Sequence, residues 1–453
     1  MRDLARTLGL LAPVMTQIAR ISGVPGVSIG VFHHGGVVLR HSIGYRDLDA
    51  KLPTTSTTIY PIGSLSKAFT ASIYGILVDE GILEWNTPIR HLLPEFRSRS
   101  KEVQSLTTAV DLLSHRTGVA GGETFYFHAQ PLLLDDSSVV ATFAELPQTQ
   151  PFTAPDASRI LLPLGLDRTG AELDPQTVDD MAKIYMASED ANAIENTRPL
   201  YQKNSVMIAS GRIYSFIDDL LVFYRELLDT AVQPMMGSDN SSATGTKSPL
   251  KQLATILSGR TFLPTQRQSI LERTYGLGWV RTQLPGELGV LGQRARRDFT
   301  VYLFPETRSG IVVLANGYGL TDVPDWIAQM LIETLSEDDT GADYLQLAEE
   351  AVDSYRKWCS KTVHGSKQLQ TPHNPHSMPQ SLVGFVGVYE NAAKTFFITV
   401  SLSLDGGKLT LAFQGLDEEE SDLRHSHDDV FSWFTSPREL AERGDTCSPL
   451  PTT

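Results

Sequence analysis

Cysteine is nearly absent from this chain. The 453 residues contain two, Cys359 and Cys447, and neither has neighbours at metal-ligand spacing. That excludes a disulfide framework, argues against structural zinc, and suits a reducing, cytoplasmic setting. Basic residues are also in deficit: 38 Lys and Arg face 53 Asp and Glu, for a net charge of −15. Nucleic acid and anionic membrane surfaces both need a basic face, so neither is expected as a partner. No apolar run approaches the roughly 20 residues of a membrane span. The opening stretch is broken by Pro13 and reads as the first helix of a domain, amphipathic through Ile21, rather than as a signal peptide. There is no internal repeat. What is plentiful is ordinary: 41% hydrophobic and 20% charged residues suffice for one large domain plus a small one.

Against that background Ser64-Leu65-Ser66-Lys67 stands out. A Ser and a Lys three apart at a helix start lie one turn apart on the same face. The Lys amine can then take the Ser hydroxyl proton and make a nucleophile of it. Thr58-Ile59-Tyr60-Pro61-Ile62-Gly63 precedes the pair as an extended segment ending in Gly. The stretch that follows, residues 68–81, is apolar almost all round, as a helix inside a domain would be, and Gly81 ends it. A charged Lys at the mouth of a buried helix needs a partner, because an unpaired buried charge is costly.

Residues 27–40 read as a hairpin turning at His34-Gly35-Gly36, and strands continue to Tyr60. A short helix ends near Pro94, and another leads into Ser114-His115-Arg116-Thr117-Gly118. Residues 170–230 read as helical, most clearly 218–228. From Tyr275 the pattern becomes β, closing with a helix over 323–335. Strands, helices, then strands again indicate an α+β fold, with the first and last strands in one sheet under flanking helices. Residues 237–248 read as a surface loop and 360–380 as a linker. A β-rich tail follows, with a hairpin over 396–413 and a strand at 430–434; its strands look too few for a closed barrel, and residues 444–453 read as disordered.

Several stretches together resemble the serine β-lactamase and penicillin-binding-protein superfamily, in its class C and D-aminopeptidase-like branch. They are Pro25-Gly26-Val27-Ser28-Ile29, Gly63-Ser64-Leu65-Ser66-Lys67, Leu112-Leu113-Ser114-His115-Arg116-Thr117-Gly118, Pro163-Leu164-Gly165-Leu166, Tyr275-Gly276-Leu277-Gly278-Trp279 and the run from Pro305 to Asn316, in the family's order. The resemblance implies an antiparallel sheet with flanking helices, a helical subdomain and a small C-terminal β domain. Expected boundaries are 1–340 for the hydrolase domain, 341–380 for a helix and linker, and 381–453 for the β domain. It also implies a covalent acyl-enzyme on Ser64, with Lys67 taking the proton and the Ser64 N–H forming half of an oxyanion hole. No metal or organic cofactor is implied. The substrate would be a small ester, thioester or amide, with an acyl carrier as a candidate donor; fungal members of this branch act in secondary metabolism.

Two of the family's motifs are missing. Tyr-x-Asn should lie before Pro163, yet neither Tyr nor Asn occurs between Tyr126 and Tyr185, and the chain is shortened near 152–160. The Lys- or His-x-Gly motif should precede Phe299, where Gly292-Gln293-Arg294-Ala295-Arg296-Arg297-Asp298 stands instead, also shortened over 292–299. Tyr126 is the candidate proton relay, weighed against a role as an aromatic wall residue. Tyr389-Glu390-Asn391 and Ser238-Asp239-Asn240 match short motifs in unpromising places. His115 and Arg116 read as loop-structuring residues, and Arg294, Arg296 and Arg297 as a solvated turn or a carboxylate contact. The expected function is a serine acyl hydrolase or acyltransferase; the alternative is a catalytically impaired or non-catalytic binding protein.

Overall fold

The computed structural model describes residues 2–118, 158–196, 210–232, 248–263, 273–336, 341–369 and 381–442, apart from residues 95, 99, 172–174, 284–288, 296–297, 392–393, 395, 404–405, 418–419 and 434–435. Two helices open the chain, α1 (Arg2–Leu10) and α2 (Ala12–Ser22). The hairpin follows as β1 (Gly26–His33) and β2 (Gly36–Asp47), with β3 (Leu52–Pro53) beside it. His34 and Gly35 both carry positive φ, 50° and 75°, the backbone that a two-residue turn needs to match strand twist. After helix α3 (Ser66–Asp79), which carries Lys67, and helix α4 (Ile217–Val232) come β4 (Thr261–Phe262), β5 (Thr274–Tyr275), β6 (Val280–Gln283), β7 (Gly289–Ala295), β8 (Phe299–Phe304) and β9 (Ser309–Ala315). Helices α5 (Val323–Ser336) and α6 (Tyr344–Leu369) complete this part.

The sheet has nine strands in the order β3-β2-β1-β9-β8-β7-β6-β5-β4. First and last strands pair antiparallel, Val27 opposite Ala315 and Ile29 opposite Val313. Every residue of β9 is buried, because alternate side chains enter two cores. Val312 and Leu314 join Phe69, Phe223, Trp279, Phe299 and Leu303 beneath α3 and α4. Ile311 and Val313 join Ile18, Ile29, Ile327 and Leu331 beneath α2 and α5. Each such side chain contributes about 1.5–3 kcal/mol on burial.

The structure departs from the sequence reading in three places. Residues 170–230 are not uniformly helical: Ile184–Ala187 and Ala193–Asn196 form a β-hairpin through a polar turn, with Gly317–Tyr318 as a parallel third strand. The expected linker is helical up to Leu369, since the first proline after α6 begins is Pro372. Of the stretch read as shortened, residues up to Ala295 belong to β7 and pair with β8, with Gly292 opposite Tyr302 and Ala295 opposite Phe299, while residues 296–297 lie outside the described residues. The tail holds five strands: β10 (Gly387–Glu390), β11 (Phe397–Leu402), β12 (Leu409–Phe413), β13 (Glu420–His427) and β14 (Val430–Ser432), all antiparallel in that order. Its ends approach each other, with the Phe385 and Phe431 rings 5.0 Å apart. Residues 237–247 of the expected loop and the run 444–453 lie outside the described residues. No described helix is long and apolar enough to cross a membrane.

Candidate active site

Gly63 sets the entry to α3. Its φ is +46°, and a Cβ there would come within 2.7 Å of the Phe299 ring. Any side chain would be excluded by both conformation and space. A single 3-10 turn, Gly63–Leu65, then leads into α3. The first N–H groups of such a turn have no intrahelical acceptor, so the Ser64 N–H is available to an incoming oxyanion. Behind the turn α3 is anchored in the core, with Phe69 stacked on Phe223 at 4.0 Å.

Ser64 and Lys67 lie on one face, both half-buried. Lys67 Nζ is 2.7 Å from Ser64 Oγ and 3.2 Å from the Ser210 carbonyl oxygen. The carbonyl is placed by a segment stapled over the turn. Ile62 N–H donates to Ile213 O at 2.9 Å, and Ile213 N–H donates to the buried Ser66 Oγ at 3.1 Å. Ser66 thus serves positioning, which its place inside the tetrad does not reveal in the sequence.

Gly278 closes the other side. Its φ is +79°, and a Cβ would stand 3.0 Å from the Lys67 carbonyl oxygen. Its N–H donates to Leu113 O at 3.0 Å, and its carbonyl accepts from Gln293 Nε2 at 2.5 Å. Strand β7 packs against the Gly63–Leu65 turn, so it occupies the place of the third motif with Gln293 on its inner face. His115, at φ 54°, sets its ring edge-on to Tyr275 at 4.9 Å. Burial pushes the Tyr275 phenol well above its usual range. Arg116 binds Asp111 through Nε and Nη2 at 3.0 and 2.7 Å. Burial alone would raise the Asp111 carboxyl, but bonds from Thr108 and the Arg116 guanidinium outweigh it and hold the carboxyl below its usual value.

Tyr126, Ser238, Asp239, Asn240, Arg296 and Arg297 lie outside the described residues. Arg294 belongs to β7. Tyr389 and Glu390 lie in β10 of the tail, where the Tyr389 hydroxyl donates to Phe385 O at 2.8 Å. Gln293 and the Ser210 carbonyl were not anticipated. A neutral residue beside three arginines carries no motif, and a backbone carbonyl carries none by nature.

Known proteins resemble this chain in part of its sequence and in its fold. A stretch of 119 residues, 26% of this chain, is 29% identical to the human "Serine beta-lactamase-like protein LACTB, mitochondrial", of which it covers 22%. A stretch of 96 residues, 21% of this chain, is 33% identical to "Protein flp" of Staphylococcus aureus, covering 19% of it. The matched part therefore spans about a fifth of the length of these relatives. The octameric penicillin-binding protein homologue from Pyrococcus abyssi superposes with a TM-score of 0.59 at 18% identity, over 94% of this chain and 93% of that one. The class C β-lactamase from Rhodobacter sphaeroides superposes with a TM-score of 0.55 at 18% identity, over 74% and 99%. These likenesses establish the β-lactamase/transpeptidase fold. With the family model for "Beta-lactamase" matching residues 11–333, this chain belongs to the Beta-lactamase family.

Proposed function

We propose that the chain is a β-lactamase-like serine acyl hydrolase or acyltransferase working through an acyl-enzyme on Ser64. The observation that carries this is the 2.7 Å approach of Lys67 Nζ to Ser64 Oγ at the mouth of a buried helix. As a free amine, Lys67 takes the Ser64 hydroxyl proton while Oγ bonds the acyl carbon of an ester, thioester or amide. The carbonyl oxygen becomes an oxyanion, received by the Ser64 N–H and a donor from β7. Collapse breaks the bond to the leaving group, which departs with the proton from Lys67. Water then releases the acid in a hydrolase; an alcohol or amine takes the acyl group in a transferase. A thioester substrate would bring in an acyl carrier as donor, and the transferase form would suit secondary-metabolite biosynthesis in the cytoplasm.

A second reading, an impaired or non-catalytic binding protein, is favoured by one observation: no Tyr or Asn occurs between Tyr126 and Tyr185. Losing a general acid or base typically slows a reaction by about 10²–10⁴-fold. Intact mass after exposure to an activated ester or a serine-reactive phosphonate, beside Ser64→Ala, separates the two. A single adduct absent from the variant supports the enzyme; no adduct on folded protein supports the binding protein. Sequencing the transcript across Phe152 and Gly292 tests whether exons carrying the missing motifs were skipped.

A further inference from the structure

We infer that Gln293 is a positioning residue for the Ser64–Lys67 pair: its carboxamide holds the Gly278 carbonyl and so seats the 275–279 turn on the nucleophile helix. The kinetic part of this inference rests on the acyl-enzyme reading; the structural part does not.

Gln293 is 5% exposed, too deep to meet a substrate. In β7 it shares the inner face with Leu291, two residues earlier. The register sets Val280 opposite Gly292, so Gln293 comes next on the side of Trp279. Its Nε2 donates to the Gly278 carbonyl. Gly278 in turn donates to Leu113 O and lies close against the backbone of Lys67. One side chain thereby ties β7, the loop after Leu113 and the helix bearing Lys67 to a single residue.

The other end of the carboxamide sharpens the point. Among the described residues Gln293 Oε1 is buried without a hydrogen-bond partner, as is Trp279 Nε1. An orphaned buried oxygen is unfavourable, and an aliphatic side chain of similar volume would remove it. For packing alone Leu would therefore serve better. What Leu cannot supply is a donor aimed at Gly278.

The test compares Gln293→Leu and Gln293→Glu in the full chain, reading thermal midpoint, hydrogen exchange at the Gly278 amide and the rate of Ser64 acylation by an activated ester. Gln293→Leu exchanges the orphaned Oε1 for an unpaired Gly278 carbonyl, so it is expected to keep the midpoint close to wild type, yet to exchange Gly278 about 10-fold faster. Its acylation should be about 10- to 100-fold slower, the usual consequence of small misplacement at a reacting centre. Gln293→Glu supplies a second, independent arm. As the acid it donates to the Gly278 carbonyl; as the carboxylate it repels it. Its acylation rate relative to wild type should approach unity near pH 5 and fall as the pH rises. The inference is overturned if Gln293→Leu exchanges and acylates like wild type, or if acylation falls only in step with the folded fraction. If wild type forms no adduct, the acyl-enzyme reading fails, and exchange at Gly278 alone decides the clamp.

Discussion

The two largest sheets among the described residues are built to different standards. In the nine-stranded sheet β9 is buried along its whole length and β1 in all but its last residue. In the five-stranded tail sheet, Glu420, Asp422 and Arg424 of β13 are exposed and the residues between them only half-buried, while Val388 and Tyr389 of β10 stand 58% and 49% exposed. A sheet covered on both faces has little room to shift, because a packed interior resists small displacements. It can hold Gly63 close against Phe299 and Gly278 close against the Lys67 backbone. The tail sheet is buried chiefly in its middle strands, at Val400 and at Leu409, Thr410 and Leu411.

The largest expected effect tests whether the precision of the first sheet serves chemistry. Lys67→Met should slow acylation of Ser64 by about 10²–10⁴-fold, measured by single-turnover mass spectrometry, while Trp433→Ala in the tail should leave the rate within about twofold. Next comes core packing. Leu303→Ala, at a fully buried position of β8, should cost about 2–5 kcal/mol in denaturant titration. A smaller effect concerns acid. The Asp111 carboxyl sits below its ordinary value of 3.8, so the folded state binds its proton less readily than the unfolded chain. Its contribution to stability is complete above that ordinary value and is lost as pH falls through the lower folded value. Asp111→Asn should therefore flatten the acid limb of a stability–pH curve below about pH 4 and leave the shape near neutrality unchanged. Smallest of all, Val388→Ala should fall within about 0.5 kcal/mol of wild type. Equal costs at Leu303 and Val388 would break the comparison between the sheets.

Much of the fold was legible because its signals are local. The hairpin announces itself in His34-Gly35-Gly36 between apolar runs, and the nucleophile helix in a polar pair before an apolar stretch. Strand β13 was not, since Leu423 is its single aliphatic residue and its exposed face reads as a charged loop. The hairpin over 184–196 was hidden likewise, its strands being four residues each. At the site, Ser64 and Lys67 are neighbours in sequence and their pairing could be foreseen. The contacts that brace them are not: Ser210 O reaches Lys67 across 143 positions and Ile213 reaches Ser66 across 147. Gln293 bonds Gly278 from only 15 positions away, but a carboxamide in a strand carries no motif. Periodicity reports which face is buried, and says nothing about which distant backbone atom a polar side chain will find.

The pairing of Val27 with Ala315 has a consequence for synthesis. The first strand emerges early from the ribosome, yet its inner neighbour is among the last parts of the hydrolase domain to be made. At roughly 5–20 residues per second, β1 waits on the order of a quarter of a minute to a minute for β9. Throughout that interval the β1–β2 hairpin presents an unpaired apolar edge. Nascent chains of this protein should thus depend on chaperones until residue 315 has cleared the exit tunnel, and a stall before that point would leave a hairpin ready to pair with its neighbours on the same message.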